Sequence, residues 1–188
     1  AVLFMAPWIW RALPAFRETR NLRLFILRAL FSFAAMLLWY YGIPLIPLAD
    51  AIAINFTSPL WATVFAAVIL GEAVRARRWA ATMVGFCGVL IVVRPGFEAM
   101  TAATAMMLLS SVGWGCQHIA LKKLSGMEQV SVIVAMQAIL LTPLSFVPAL
   151  FVWTTPSWGA LGWAAAMAAI GTCAHICLTR AFRAADAS

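Results

Sequence analysis

Five side chains able to hold a small solute fall on one helical stripe: Ser110, Ser111, Trp114, Gln117 and His118. The offsets among them are three, four, seven and eight residues, which stacks them along one face of a helix. An indole, an amide and an imidazole on one face suit a substrate that carries a ring or a carboxylate. Polar groups inside a membrane face the bundle interior or a water-filled cavity. The plainer alternative is hydrogen bonding between helices, worth about 0.6 kcal/mol per contact. Gln117 and His118 lie about a turn from Lys122 and Lys123, near one mouth of the membrane.

Other candidates are scattered. Asn55, Thr57, Ser58 and Pro59 interrupt an otherwise oily segment. Pro59 removes the backbone bond to the carbonyl of Asn55. In lipid that acceptor must be buried in protein or meet water, so a polar kink beside a cavity competes with simple helix packing. His175 stands in an apolar run, with Thr172 and Thr179 as polar neighbours. A hydrogen-bonded structural histidine is its bland reading; lining a cavity, it would titrate near neutrality and couple protons. Trp39, Tyr40 and Tyr41 read first as an interfacial aromatic belt, and Trp39 or Tyr40 facing inward is the lesser reading. Glu72 is either an ion-coupling carboxylate or, more simply, the partner of Arg75 or Arg77. Exposed pairs of that kind contribute under about 1 kcal/mol. Asp50 follows Pro47, where a carboxylate at a helix N-terminus meets unpaired N–H groups before it meets a substrate.

Catalytic chemistry finds little support. The pattern contains no G-x-S-x-G elbow and no H-E-x-x-H pair, so no catalytic residue is assigned. An intramembrane hydrolase built from Ser110 or Ser111 with His118 or His175 remains the weakest alternative. Cys87, Cys116, Cys173 and Cys177 lie in apolar runs without paired C-x2-C spacing. They read as packing residues, and no metal or other cofactor is expected.

These residues need lipid-spanning elements to position them. Of 188 residues, 65% are hydrophobic and 10% charged, with mean hydropathy +0.98. A soluble domain is nearer about 45–50% apolar and 25% charged. Crossing a core about 30 Å thick takes about 20 apolar residues. The runs near 24–46, 51–71, 79–93 and 99–121 qualify, the third being short but flanked by Arg78 and Arg94. Gln129 to Thr179 then runs 51 residues without Lys, Arg, Asp or Glu. That is roughly 76 Å of helix, so it folds back, and Thr154-Thr155-Pro156-Ser157 is the break between spans near 129–153 and 158–179. Residues 1–10 read as the end of a further helix. The expectation is an all-α polytopic membrane protein: a helix bundle of six full spans and a half helix.

The net charge of +7 follows from topology. With the loop 11–23 in the cytoplasm, the loops 72–78 and 122–128 and the segment after 180 lie there too. Twelve of the 13 Lys and Arg residues then sit inside, with Arg94 alone opposite. Anionic membrane lipid accounts for the charge, and nucleic acid is not an expected partner.

Ala49-Asp50-Ala51 and Ala185-Asp186-Ala187 are 136 residues apart, and the same offset lays helix 24–43 over 160–179. Five crossings separate equivalent points, an odd number, so two copies of a repeat would be inverted. Inverted repeats build many secondary transporters, with the solute site between the copies. The first copy continues for two helices after Asp50, while the chain stops two residues after Asp186. The sequence therefore reads as the middle of a longer chain.

The segments Ile46–Ala51 and Phe56–Leu60, then Leu70-Gly71-Glu72, Arg78-Trp79, Gly85–Ile91 and Arg94-Pro95-Gly96, resemble the EamA-type carriers of the drug/metabolite transporter superfamily. Leu178–Phe182 with Ala184–Ser188 looks like the family's end of helix eight. The resemblance implies ten helices in two inverted five-helix repeats, of which this chain holds the end of the first (1–96) and the start of the second (97–188). It implies an inner-membrane secondary transporter that moves a small polar metabolite, such as an amino acid, a vitamin or a nucleoside-like compound, by alternating access. A non-transporting scaffold subunit is the alternative. The expected partners are a small-molecule solute and membrane lipid, with a monomer or homodimer as the default assembly.

Overall fold

The computed structural model describes Thr19, residues 21–71, 76–93 and 101–186. All regular structure among these residues is helical: α1 Leu22–Gly42 with a 3-10 turn Ile43–Leu45, α2 Leu48–Asn55, α3 Ser58–Ile69, α4 Ala76–Val93, α5 Ala102–Ser125, α6 Val130–Phe151 and α7 Trp158–Asp186. Among the described residues, four stretches are long and apolar enough to cross a membrane: Leu22–Leu45, Leu48–Ile69, Val130–Phe151 and Trp158–Phe182. The chain is an all-α polytopic membrane protein.

Six full spans were expected, and two fall short of that standard. Trp79–Ile91 is apolar but shorter. Helix α5 has the length, but Ser110, Ser111, Gln117 and His118 dilute its apolar character. The stretch 1–10, most of the loop 11–23, and Glu72 with the turn around it lie outside the described residues.

Three helix ends on the Lys- and Arg-rich side extend past the hydropathy limits, while other ends, such as Ile69, Ala102 and Phe151, fall inside them. α5 runs to Ser125, so Lys122 and Lys123 form its last turn instead of opening a loop. α7 runs to Asp186, so the segment after 180 is helix too. α4 begins at Ala76, inside the expected loop 72–78. Lys, Arg and Ala favour helix intrinsically, and cations in a last turn complement the helix dipole. Apolar content fixes where a helix is buried in lipid, and backbone propensity carries it further.

Two proline-containing stops behave differently. After α1, Pro44 and Pro47 break the chain, and Asp50 falls in the first turn of α2. The 136-residue offset puts Arg180 and Arg183 in their place, and α7 continues unbroken past them to Asp186. The two Ala-Asp-Ala segments therefore occupy unlike positions, one opening a helix and one at a helix end. Within α6, Pro143 and Pro148 are tolerated. Thr142 Oγ1 donates to the Ala138 carbonyl at 2.7 Å and Ser145 Oγ to that of Leu141 at 2.8 Å, so side chains serve the backbone around the kinks. α3 ends at Ile69, and Gly71 just beyond it has a φ of 65°, the left-handed stop that glycine adopts without strain.

The chain divides into two compact units. One runs from Leu30 to Ile119; the other joins residues up to Ala29 with Ala120 onward. In the first, α4 packs on α2 and α3, and Ala51, Ile54 and Met107 form a small core flanked by Trp39, Ile43 and Leu108. In the second, α7 packs on α6, and Phe25, Leu121, Leu124, Val132, Ile133 and Met136 are buried together with Leu178 and Phe182 against them.

Candidate functional site

The polar break at residues 55–59 is real and complete. α2 ends at Asn55 and α3 starts at Ser58, with Phe56 and Thr57 between. Thr57 N–H donates to the Ile54 carbonyl at 2.9 Å, and Leu60 N–H to that of Thr57 at 2.9 Å, so tighter turns replace the α-helical ladder. Proline at the second position of α3 explains this, since it has no N–H for a continuing helix. Asn55 Oδ1 is buried and has no hydrogen-bond partner among the described residues.

Ser111 meets this break. Thr57 Oγ1 lies 2.6 Å from the Ile54 carbonyl oxygen and 2.7 Å from Ser111 Oγ. Ser111 Oγ lies 2.7 Å from the Leu108 carbonyl oxygen and accepts from Trp61 Nε1 at 3.2 Å. Each hydroxyl has one hydrogen to donate. Two hydrogens thus serve three oxygen–oxygen contacts, and one contact is unfilled at any moment. One helical turn of difference in role separates the neighbouring serine: Ser110 Oγ donates to the Ala35 carbonyl at 2.8 Å, tying α5 to α1.

Glycine makes these approaches possible. A Cβ on Gly115 would stand 2.6 Å from Trp61 Cβ and 3.3 Å from the Ser58 carbonyl oxygen. One on Gly113 would stand 2.9 Å from Ala35 Cβ. Other glycines on the helices are looser: a Cβ on Gly85 would stand 3.3 Å from Leu60, and Gly88, Gly159 and Gly162 face open space among the described residues.

The remaining stripe residues stay on α5. Gln117 is buried and engaged, His118 is half-buried and engaged, and Trp114 is half-buried. The structure therefore joins Thr57, Trp61 and Ser111 in one network, with Asn55 two residues before Thr57 and Ser58 buried next to it in sequence. Asp50 is half-buried in the first turn of α2, where the dipole favours it. Pro59 is exposed. Tyr40 is 61% exposed, as Tyr41 also is, while Trp39 packs on the Ala51–Ile54–Met107 core.

His175 belongs to the other unit. The threonines expected to flank it are spent elsewhere: Thr172 Oγ1 donates to the Ala168 carbonyl and Thr179 Oγ1 to the His175 carbonyl, each at 2.7 Å. Threonine in a helix bonds back one turn in this way, which leaves the ring unassisted. His175 Nδ1 is buried without a hydrogen-bond partner among the described residues. Arg28, the one Lys, Arg, Asp or Glu in the apolar run 24–46, is 1% exposed and donates from Nη1 to the Ile133 carbonyl at 3.2 Å. The signal was there: Phe25, Arg28, Ala29, Ser32 and Ala35 share helical spacing with the buried face of α1.

Residues 1–94 match the model of the EamA-like transporter family. The chain belongs to that family. Over 189 residues it is 31% identical to a riboflavin transporter of Rhizobium johnstonii, covering 100% of this chain and 63% of that protein. Another riboflavin transporter, from Vibrio cholerae, is 30% identical over 168 residues, covering 87% of this chain and 55% of that protein. An S-adenosylmethionine uptake transporter of Rickettsia prowazekii is 28% identical over 163 residues, with 87% and 55% covered. The chain thus spans between half and two thirds of the length of these EamA relatives. No solved structure matches it. Family membership and the apolar helices together make this a multi-pass protein of a bacterial membrane.

Proposed function

We propose that this EamA protein is part of a secondary carrier that moves a small polar metabolite across the inner membrane by alternating access. One observation carries the reading: the whole chain aligns with a riboflavin transporter at 31% identity. The names of its relatives favour a vitamin or nucleoside-like solute. The broken α2–α3 helix and the polar face of α5 are the kind of discontinuity and polarity that transporters place at solute sites. On this reading Trp114, Gln117 and His118, with Asn55, line the path, Ser111 and Thr57 hold the break open to it, and Tyr40 and His175 are further candidates. Glu72 and Asp50 are structural or coupling carboxylates. The loops 11–23, 72–78 and 122–128 and the end of α7 face the cytoplasm. The first inverted repeat ends near residue 96, two residues beyond the family match.

The hydrolase reading has less support. Ser110 donates to a backbone carbonyl and Ser111 sits in a hydroxyl network with Thr57, so neither serine is bonded to a histidine base. A scaffold subunit has no observation in its favour. The decisive experiment is uptake of labelled riboflavin and S-adenosylmethionine by proteoliposomes holding the full-length protein. Accumulation above empty vesicles is expected for one of them or a close analogue. Unchanged uptake after Trp114→Ala and Gln117→Ala would refute the assignment of the α5 face to the path.

A further inference from the structure

Arg28 lies inside the span Leu22–Leu45 and is 1% exposed. A cation at that depth is costly, and such residues are kept for pathways and binding. Three helices meet around it within one unit. From α1 comes the guanidinium, with Nη1 on the Ile133 carbonyl of α6. One turn further along α6 stands Gln137, 8% exposed with its amide in the membrane. From α7 comes His175, one turn before Leu178, which packs on the cluster containing Phe25 and Ile133. His175 Nδ1 is buried without a hydrogen-bond partner among the described residues.

A strap between α1 and α6 would need only one N–H to one carbonyl. The chain instead gathers a guanidinium, an imidazole and a primary amide. A guanidinium presents five donors in a plane, a geometry that fits the paired oxygens of carboxylate or phosphate. An imidazole nitrogen and an amide alongside supply adaptable further contacts. We propose that Arg28, with His175 and Gln137 beside it, forms an oxyanion-binding point for the carried solute, taking its carboxylate or phosphate group. This rests on the carrier reading and adds a solute class to it.

Two matched pairs test it: S-adenosylmethionine against its decarboxylated analogue, and flavin mononucleotide against riboflavin. The full-length protein is reconstituted in phosphatidylcholine alone, which removes net-anionic lipids and leaves a headgroup phosphodiester that is the same for both members of each pair. The readout is the ratio of transport KM values within each pair. Wild type is expected to favour the carboxylate- or phosphate-bearing member of at least one pair about tenfold, as one charge-assisted pairing gives. Arg28→Met brings that ratio close to one. Arg28→Lys keeps the charge, loses the fork and lowers the ratio at least about threefold, which keeps the test alive if the methionine variant does not fold. Uptake with no preference for the carboxylate- or phosphate-bearing member, or a preference that survives both substitutions, overturns the oxyanion point and leaves the carrier reading standing. No uptake of any of the four compounds overturns both.

Discussion

Between Leu30 and Ile119 the fully buried polar side chains among the described residues are neutral, and several are hydrogen-bonded to one another or to backbone, with Ser32 Oγ and Asn55 Oδ1 left without a partner. Ser110 serves a backbone carbonyl, and Ser111, Thr57 and Trp61 serve each other. The unit built on Ala120 onward buries a guanidinium and leaves an imidazole nitrogen without a hydrogen-bond partner. Neutral hydrogen bonds of this kind fix helices in place. A buried charge does little for the fold that an apolar side chain would not do. The bonded serines of the first unit are thus read through stability, and the buried arginine of the second, on the proposal above, through selectivity.

The largest effect expected from this contrast is at Gly115. A side chain there meets the Trp61 Cβ, the Ala62 nitrogen at 3.2 Å and the Ser58 carbonyl. Two of those three are backbone and have no room to give. Gly115→Leu should cost about 3 kcal/mol, read as a lowered thermal midpoint in detergent. Gly88→Leu, facing open space, should stay within about 0.5 kcal/mol of wild type. Equal costs for the two would mean that the α3–α5 approach does not hold the unit together.

Next comes Ser111→Ala, which takes a partner from both Thr57 and Trp61. At about 0.6 kcal/mol per interhelical bond, the loss should be about 1 kcal/mol. A double-mutant cycle with Thr57→Val should show coupling of at least about 0.5 kcal/mol, because one hydroxyl pair is removed by either change. Ser110→Ala loses one bond, so about 0.6 kcal/mol is expected. If Ser110→Ala proved the costlier, the shared-proton network would not be the main tie at the helix break.

Much of this arrangement is legible in the sequence, and its limits have physical causes. Apolar run length locates the spans, and Pro59 locates the break, because both are local properties of the chain. The polar face of α5 is also legible, since helical spacing alone puts Ser110, Ser111, Trp114, Gln117 and His118 together. What each does is not, because the Ala35 carbonyl lies 75 residues from Ser110 and Thr57 lies 54 from Ser111. The same limit hid Arg28. A charge seven positions into an apolar helix reads as a snorkelling end until the partners 105 residues away are known.

The one loss of a buried polar group expected to cost no stability is that of Arg28, the most buried charge among the described residues. Arg28→Met removes the guanidinium and fills similar volume with an apolar chain. The Ile133 carbonyl keeps its helical bond from the backbone of Gln137, so it is not left without a partner by the change. Replacing buried ionic groups with apolar ones of similar volume is commonly neutral or stabilising. The thermal midpoint should therefore be unchanged or raised, with a shift equivalent to about 1 kcal/mol at most. A loss of about 3 kcal/mol or more would make Arg28 a structural tie like Ser111, and the two units would then differ in charge alone and not in purpose.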